Sequence, residues 1–303
     1  MTMLEPAGPA AHTIAGVAWS LFVGSAVIFA GVMALLVVAL RQRGGKIDTR
    51  WWIVGGGLVF PAIVLSILMG YTAVRSAQLR RAPSANALVV SVIGKMWWWE
   101  VQYRTPDGTD VVIANEIHIP VNRPVVIGLS SSDVIHSFWV PQLGGKMDMV
   151  PGRTNQLVLQ AAAPGVYRGQ CAEYCGEQHA RMAMHVVAHE PADFEVWLAA
   201  QAQPTRAPTS PLAERGRAAF VAQRCTASHT VRGVTEEGRL APDLTHVGSR
   251  LHLGAGTVRN DAAAMQRWIA HVQTVKPGAR MPSFEERDAA SLEAMAAWLD
   301  GLK

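Results

Sequence analysis

With 303 residues, half of them hydrophobic, the chain is too long for one small domain and too apolar for soluble cores alone, so two or three units including membrane segments are expected. The formal net charge of +4 is mild and is inflated by basic residues around the apolar runs near the start, so it gives no ground for a nucleic-acid partner. Three cysteines, Cys171, Cys175 and Cys225, are too few and too odd in number for a disulfide framework and point to site chemistry.

Residues 13–40 and 51–74 contain no charged side chain, and each run is long enough to cross a bilayer as a helix. Residues 1–82 are therefore expected to form a transmembrane helical hairpin. A cleaved signal peptide competes for the first run, but no basic stretch precedes it and it exceeds the usual ~7–15 apolar residues, so the first helix is expected to stay. Between the runs lie Arg41, Arg43, Lys46 and Arg50, a cluster that the positive-inside rule puts on the cytoplasmic side, with both long flanks outside. Arg75, Arg80 and Arg81 count against this topology, although a large soluble domain translocates largely regardless of such charges.

From residue 88 the pattern changes to short β-rich runs (ALVVSVIG, DVVIANEIHIP, PVVIGLSSS, TNQLVLQA) punctuated by Pro, Gly and Asp-Gly, so residues 88–199 are expected to form an all-β sandwich or barrel. Residues 200–211, AQAQPTRAPTSP, are polar and aperiodic and are expected to be a linker. Residues 212–303 carry helical patterns at 213–224, 262–272 and 291–302 and are expected to form a small all-α domain. Residues 88–200 hold 7 Lys/Arg against 11 Asp/Glu, and residues 212–303 hold 12 against 10. Opposite signs favour docking of one domain on the other, unless these are ordinary solvated faces.

The most informative stretch is GQCAEYCGEQHARM, with Cys171, Cys175, His179 and Met182 close together; His136 in DVIHSFWVP joins them from upstream. Thiolate, imidazole and thioether donors together select a soft metal, copper rather than zinc. One copper takes about three or four ligands, so two thiolates, two imidazoles, a thioether and a backbone carbonyl suggest two coppers bridged by sulfur. Such a site moves electrons and needs no open coordination position. A Cys171–Cys175 disulfide, a metal-free surface cluster and a copper-delivery protein are the competing readings.

On these motifs, residues 12–190 resemble cytochrome c oxidase subunit II, and the fold implied for residues 88–199 is cupredoxin-like. The resemblance implies that His136, Cys171, Cys175, His179 and Met182 are side-chain ligands of a dinuclear CuA centre. Glu173 would contribute its main-chain carbonyl, and its side chain would reach a magnesium shared with subunit I. In KMWWWEVQY, the resemblance makes Trp97 the electron-entry residue, while Trp98 and Trp99 alternate faces on a strand, so at least one of the three is expected to pack against the membrane-side partner or the core. Many relatives carry a Glu shortly before the proline of the second helix; here Val54 precedes Pro61, so proton uptake by that route would need another residue or subunit.

Residues 212–303 resemble a class I c-type cytochrome, through RCTASHTVRG, APDLTHVGSR and KPGARMP. The resemblance makes His229 and Met281 the axial ligands of a haem c, a pair that raises its potential. The attachment motif C-x-x-C-H is altered: Cys225 is present, but Ser228 replaces the second cysteine. Haem held by a single thioether through Cys225, or a haemless docking module, are both compatible with this.

Together the resemblances imply a copper subunit fused to a cytochrome domain, as in caa-type bacterial oxidases. Its partners would be subunit I, other oxidase subunits and a soluble cytochrome c or similar donor. The expected location is the bacterial inner membrane, with both soluble domains on the periplasmic side. Electrons would pass from the donor through haem c and CuA to haem a of subunit I, where oxygen is reduced to water and protons are translocated. A nitrous oxide reductase type of copper domain fits less well, because the separate catalytic domain of that family has no counterpart here.

Overall fold

The computed structural model describes residues 4–42, 48–79, 87–105 and 107–303. Of the basic residues invoked for topology, Arg43, Lys46, Arg80 and Arg81 lie outside the described residues. Two N-terminal helices, α1 (Pro9–Arg41) and α2 (Thr49–Leu79), are long and apolar enough to cross a membrane. Each exceeds its expected span, because uncharged runs end where charges begin whereas helices continue past them. Ser20 Oγ of α1 lies 3.1 Å from the Tyr71 hydroxyl of α2, which pairs the helices as a hairpin. Their outward faces expose Phe22, Phe29, Leu40, Ile53 and Ile67, a composition suited to lipid rather than water. Within α2, Trp52–Val59 winds as a π-helix through Gly55, Gly56 and Gly57, which the sequence did not signal; Val54 sits there.

The residues just before α1 are seated on the next unit. Ala7 donates its amide to the Gln142 carbonyl at 2.7 Å, and its own carbonyl accepts from Ala162 at 2.8 Å.

That unit is a sandwich of two five-stranded sheets. One has the order β3 (Asp110–Ala114), β2 (Trp98–Arg104), β1 (Leu88–Lys95), β5 (Val125–Ser131), β8 (Asn155–Leu159); the other has β4 (Glu116–Pro120), β10 (Ala183–His189), β9 (Gly165–Cys171), β6 (His136–Trp139), β7 (Met147–Met149). β1 runs parallel to β5 and β4 parallel to β10, while the remaining pairs are antiparallel. Strand alternation builds the core: Val90 and Val92 on β1, and Trp99, Val101 and Tyr103 on β2, all point inward. The run DVVIANEIHIP is two strands, because Asn115 takes a left-handed φ of 65° and passes the chain from one sheet to the other. This is a cupredoxin-like β-domain.

Helix α3 (Pro191–Ala202) follows, so the polar stretch at 200–211 begins inside a helix. The stretch is tied to the C-terminal unit: the Arg232 guanidinium donates to the carbonyls of Gln201 and Ala202 at the helix end, and beyond it the Thr205 amide donates to the Arg232 carbonyl. Helices α4 (Pro211–Ala222), α5 (Ala262–Val275) and α6 (Ala289–Asp300) form the C-terminal cytochrome c-like unit. Ser210, Asp261 and Asp288 cap their N-termini through side-chain oxygens. At the crossing of α4 and α6, Gly216 brings the backbones so close that any Cβ there would collide with Ala294.

Candidate functional site

The β-domain brings the soft donors together at one end. His136 opens β6 and Cys171 closes β9, and the strands are paired by Phe138 against Cys171. The loop that follows leaves and returns at one point, where the Cys171 amide donates to the Met182 carbonyl at 2.9 Å. Gly176, at φ 111°, makes the turn beside Cys175, and a short 3-10 turn, His179–Arg181, carries the second histidine back toward the thiols.

Within this loop Cys171 Sγ lies 3.7 Å from Cys175 Sγ and 3.9 Å from His136 Nδ1. Cys175 Sγ lies 3.6 Å from His179 Nδ1 and 3.8 Å from Met182 Sδ. The Glu173 carbonyl oxygen is 3.1 Å from Cys171 Sγ. All three cysteines are free, so the disulfide reading is set aside. His136, Cys171 and Cys175 are buried, and their donor atoms gather within 4.8 Å of one another, spacing that suits ions held between them.

The two thiols share one hydrogen bond. Their mutual hydrogen bond, aided by His136 and the Glu173 backbone, pulls the Cys171 thiol far below its ordinary value, while the same contact and burial push Cys175 up. Burial pulls the His136 imidazole down, but hydrogen bonds to Cys171 and Asp133 outweigh it and raise it. Both thiols must lose their protons to ligate a metal, so metal binding here releases protons and depends on pH.

Asp133 was not legible as part of the site. Its carboxylate accepts from His136 Nε2 at 2.8 Å and from the Met96 amide at 2.7 Å, so it orients the imidazole and anchors the turn before Trp97. Its position three residues before His136 was the available signal. The half-buried Trp97 donates its indole N–H to the Cys175 carbonyl at 2.8 Å. Trp99 is the inward-facing tryptophan, fully buried in the core, and Trp98 lies under the Lys95 ammonium, 5.0 Å from its ring centroid. The Glu173 carboxylate is half-exposed and pairs with Lys146 at 3.3 Å.

The C-terminal unit, together with the facing edge of the β-domain, lines a cavity of about 220 Å³ that is partly open to solvent. Cys225, His229, Pro242, Arg250 and Met281 line it from one side, and Lys95, Trp97 and Asp133 of the β-domain close its mouth. His229 Nδ1 lies 2.7 Å from the Pro242 carbonyl, which fixes the tautomer and leaves Nε2 as the ligand atom. Burial lowers the imidazole's pKa, favouring the neutral form an iron ligand requires. Arg250, partly buried beside this space, donates to the Asp243 carbonyl. The residues present fit a haem, with one thiol in place of two.

A hairpin of apolar helices, a cupredoxin-like domain with a soft-donor loop and a cytochrome c-like unit together define a class of membrane-anchored electron carriers. Comparisons with known proteins agree. A family model for the periplasmic domain of cytochrome c oxidase subunit II matches residues 107–189, and one for cytochrome c matches residues 213–303. Cytochrome c oxidase subunit 2 of Alkalihalophilus pseudofirmus is 33% identical over an alignment covering 100% of this chain and 91% of that one. The Bacillus subtilis protein of the same name is 29% identical over 81% of this chain and 70% of its own. The solved periplasmic domain of subunit II of cytochrome oxidase from Bradyrhizobium japonicum is 32% identical, with a TM-score of 0.37, covering 40% of this chain and 96% of that one. The chain belongs to the cytochrome c oxidase subunit 2 family, and so is an electron-transfer subunit of an oxidase complex.

Proposed function

We propose that His136, Cys171, Cys175, His179 and Met182, with the Glu173 carbonyl, hold the dinuclear CuA centre, and that Cys225, His229 and Met281 hold a haem c through a single thioether. When bound, these groups supply one-electron carriers between a soluble cytochrome-like donor and haem a of subunit I, where oxygen reduction is coupled to proton translocation. Trp97 is the bridging side chain between the cavity and the copper loop. The Glu173 side chain is assigned to a magnesium shared with subunit I, where it would exchange its Lys146 partner for the metal. The protein would sit in the bacterial inner membrane with both soluble units on the periplasmic side, against subunit I and the other oxidase subunits.

The observation that carries this reading is the donor cluster itself: two thiols, two imidazoles and a thioether linked in a chain of contacts at 3.6–3.9 Å. Ser228 favours a second reading in which the C-terminal unit is a haemless docking module. Expression with a cytochrome c maturation system, followed by copper content, the mixed-valence copper EPR signal and a haem stain of the denatured chain, tests both. Two coppers and covalent haem are expected. A colourless native unit would leave the docking module, and one labile copper would replace the relay by a delivery role.

A further inference from the structure

The cytochrome-like unit is held on the β-domain by a reciprocal clasp. α5 ends at Val275, whose carbonyl accepts from the Arg181 guanidinium at 2.8 Å. The next residue, Lys276, reaches the other way. Its Nζ donates to the carbonyls of Arg181 at 2.9 Å, Trp97 at 2.8 Å and Gly254 at 2.7 Å. Two of these acceptors belong to the β-domain and one to the cytochrome-like unit.

Lys276 is only 3% exposed, and lysine is almost never buried without such partners. Burial pulls its pKa down to about 7, yet only the ammonium form has three N–H donors, one for each carbonyl it meets. Removing the side chain would leave three carbonyls unpaired in a sealed interface. Directly beyond, Gly278 adopts φ 75°; a Cβ there would come within 3.5 Å of the Trp97 indole and 2.7 Å of the Glu177 carboxylate. Three residues further on, Met281 enters the cavity. One ammonium therefore fixes the Trp97 turn, the copper loop and the segment leading to Met281 relative to one another.

We propose that Lys276 is a positioning residue that locks the cytochrome-like unit over the copper loop in the register through which electrons reach Trp97. This rests on the reading that the cavity holds a haem feeding the copper site. Because the charge is buried, the lock resists screening by salt, unlike a surface ion pair.

The test uses the assembled oxidase with Lys276→Met and Lys276→Gln. Hydrogen exchange is followed at the Ala183 and Leu251 amides, which donate across the interface to the Ala255 carbonyl and the Glu116 carboxylate, with amides inside β9 and α6 as references. Lys276→Met is expected to speed interface exchange roughly tenfold or more, the shift that loss of one charge-assisted hydrogen bond produces. It should also slow haem-to-copper electron transfer and leave both absorption spectra unchanged. Lys276→Gln, which keeps an N–H₂ donor, should recover part of both effects. Interface exchange and transfer rate unchanged in Lys276→Met would overturn the proposal, as would equal damage by Met and Gln extending to the reference amides. If the unmodified complex has no haem c absorption beside that of haem a, the haem reading fails, while the exchange measurement still decides the clasp.

Discussion

The indole nitrogen of Trp97 donates to the carbonyl oxygen of Cys175 at 2.8 Å, so one hydrogen bond joins the turn at the mouth of the cavity to the loop that carries both thiols. The same ring lies within 3.1 Å of where a Cβ on Gly176 would be, which explains why the loop tightens on glycine there. Trp97→Phe keeps an aromatic ring and removes this one donor, at a stability cost of about 1 kcal/mol. The expected outcome is an unchanged copper spectrum with slower reduction of copper from the cytochrome-like unit, measured by stopped flow. A rate equal to that of the unmodified protein would remove Trp97 from the route.

Gly94 on β1 supports the imidazole of His136 from behind. A Cβ at position 94 would lie 2.7 Å from His136 Cδ2, and Asp133 holds the neighbouring Nε2 at 2.8 Å, so the ring cannot retreat without losing that bond. Gly94→Ala is therefore expected to destabilise the β-domain by about 1–3 kcal/mol, as overpacking does, and to lower copper occupancy. Copper per chain and thermal unfolding check this together. Full occupancy with an unshifted transition would show that the ring is not confined.

The helices, the β-sandwich and the soft-donor set were legible because each leaves a periodic or compositional trace: uncharged runs, alternating burial, and clustered Cys, His and Met. What stayed hidden depends on contacts between distant segments. Lys276 looks like an ordinary basic residue before a Pro-Gly turn until the fold seals it against Trp97 and Arg181. Asp133 is one acid among several until the strand places it on His136. The stretch at 200–211 looks like a linker because its anchoring groups, above all Arg232, lie elsewhere in the chain.

Ser228 lies between Cys225 and His229, its amide donating to the Cys225 carbonyl at 3.2 Å, so the local turn survives without the second thiol. Ser228→Cys is nearly isosteric and completes the C-x-x-C-H pattern. Two thioethers are then expected, with the pyridine haemochrome band shifted to shorter wavelength than in the unmodified chain, and Cys225→Ala should release the haem on denaturation. No band shift in Ser228→Cys would mean that side chain 228 faces away from the cavity.

Docking of the two soluble units is expected to weaken in acid. His185 of the β-domain and His252 of the cytochrome-like unit stack across the interface, ring centroids 4.5 Å apart at 13°. Burial, then the facing His252, lowers the pKa of His185 to about 4, and burial likewise lowers that of His252. Glu116 opposes these shifts; Arg168 reinforces them at both rings and Arg259 at His252. Both imidazoles are thus neutral when the units are docked and regain ordinary values near 6.5 when they separate. Between about pH 4 and pH 6.5 the separated state binds more protons, so docking gains stability as pH rises through that window. The contribution is fully present above pH 6.5 and is lost as pH falls toward 4. Hydrogen exchange at the Leu251 amide from pH 7 down to 5, corrected for the intrinsic pH dependence of exchange, should reveal growing opening. His252→Gln, which cannot take up the charge, should flatten that response, and a pH dependence unchanged in His252→Gln would assign the effect to other groups.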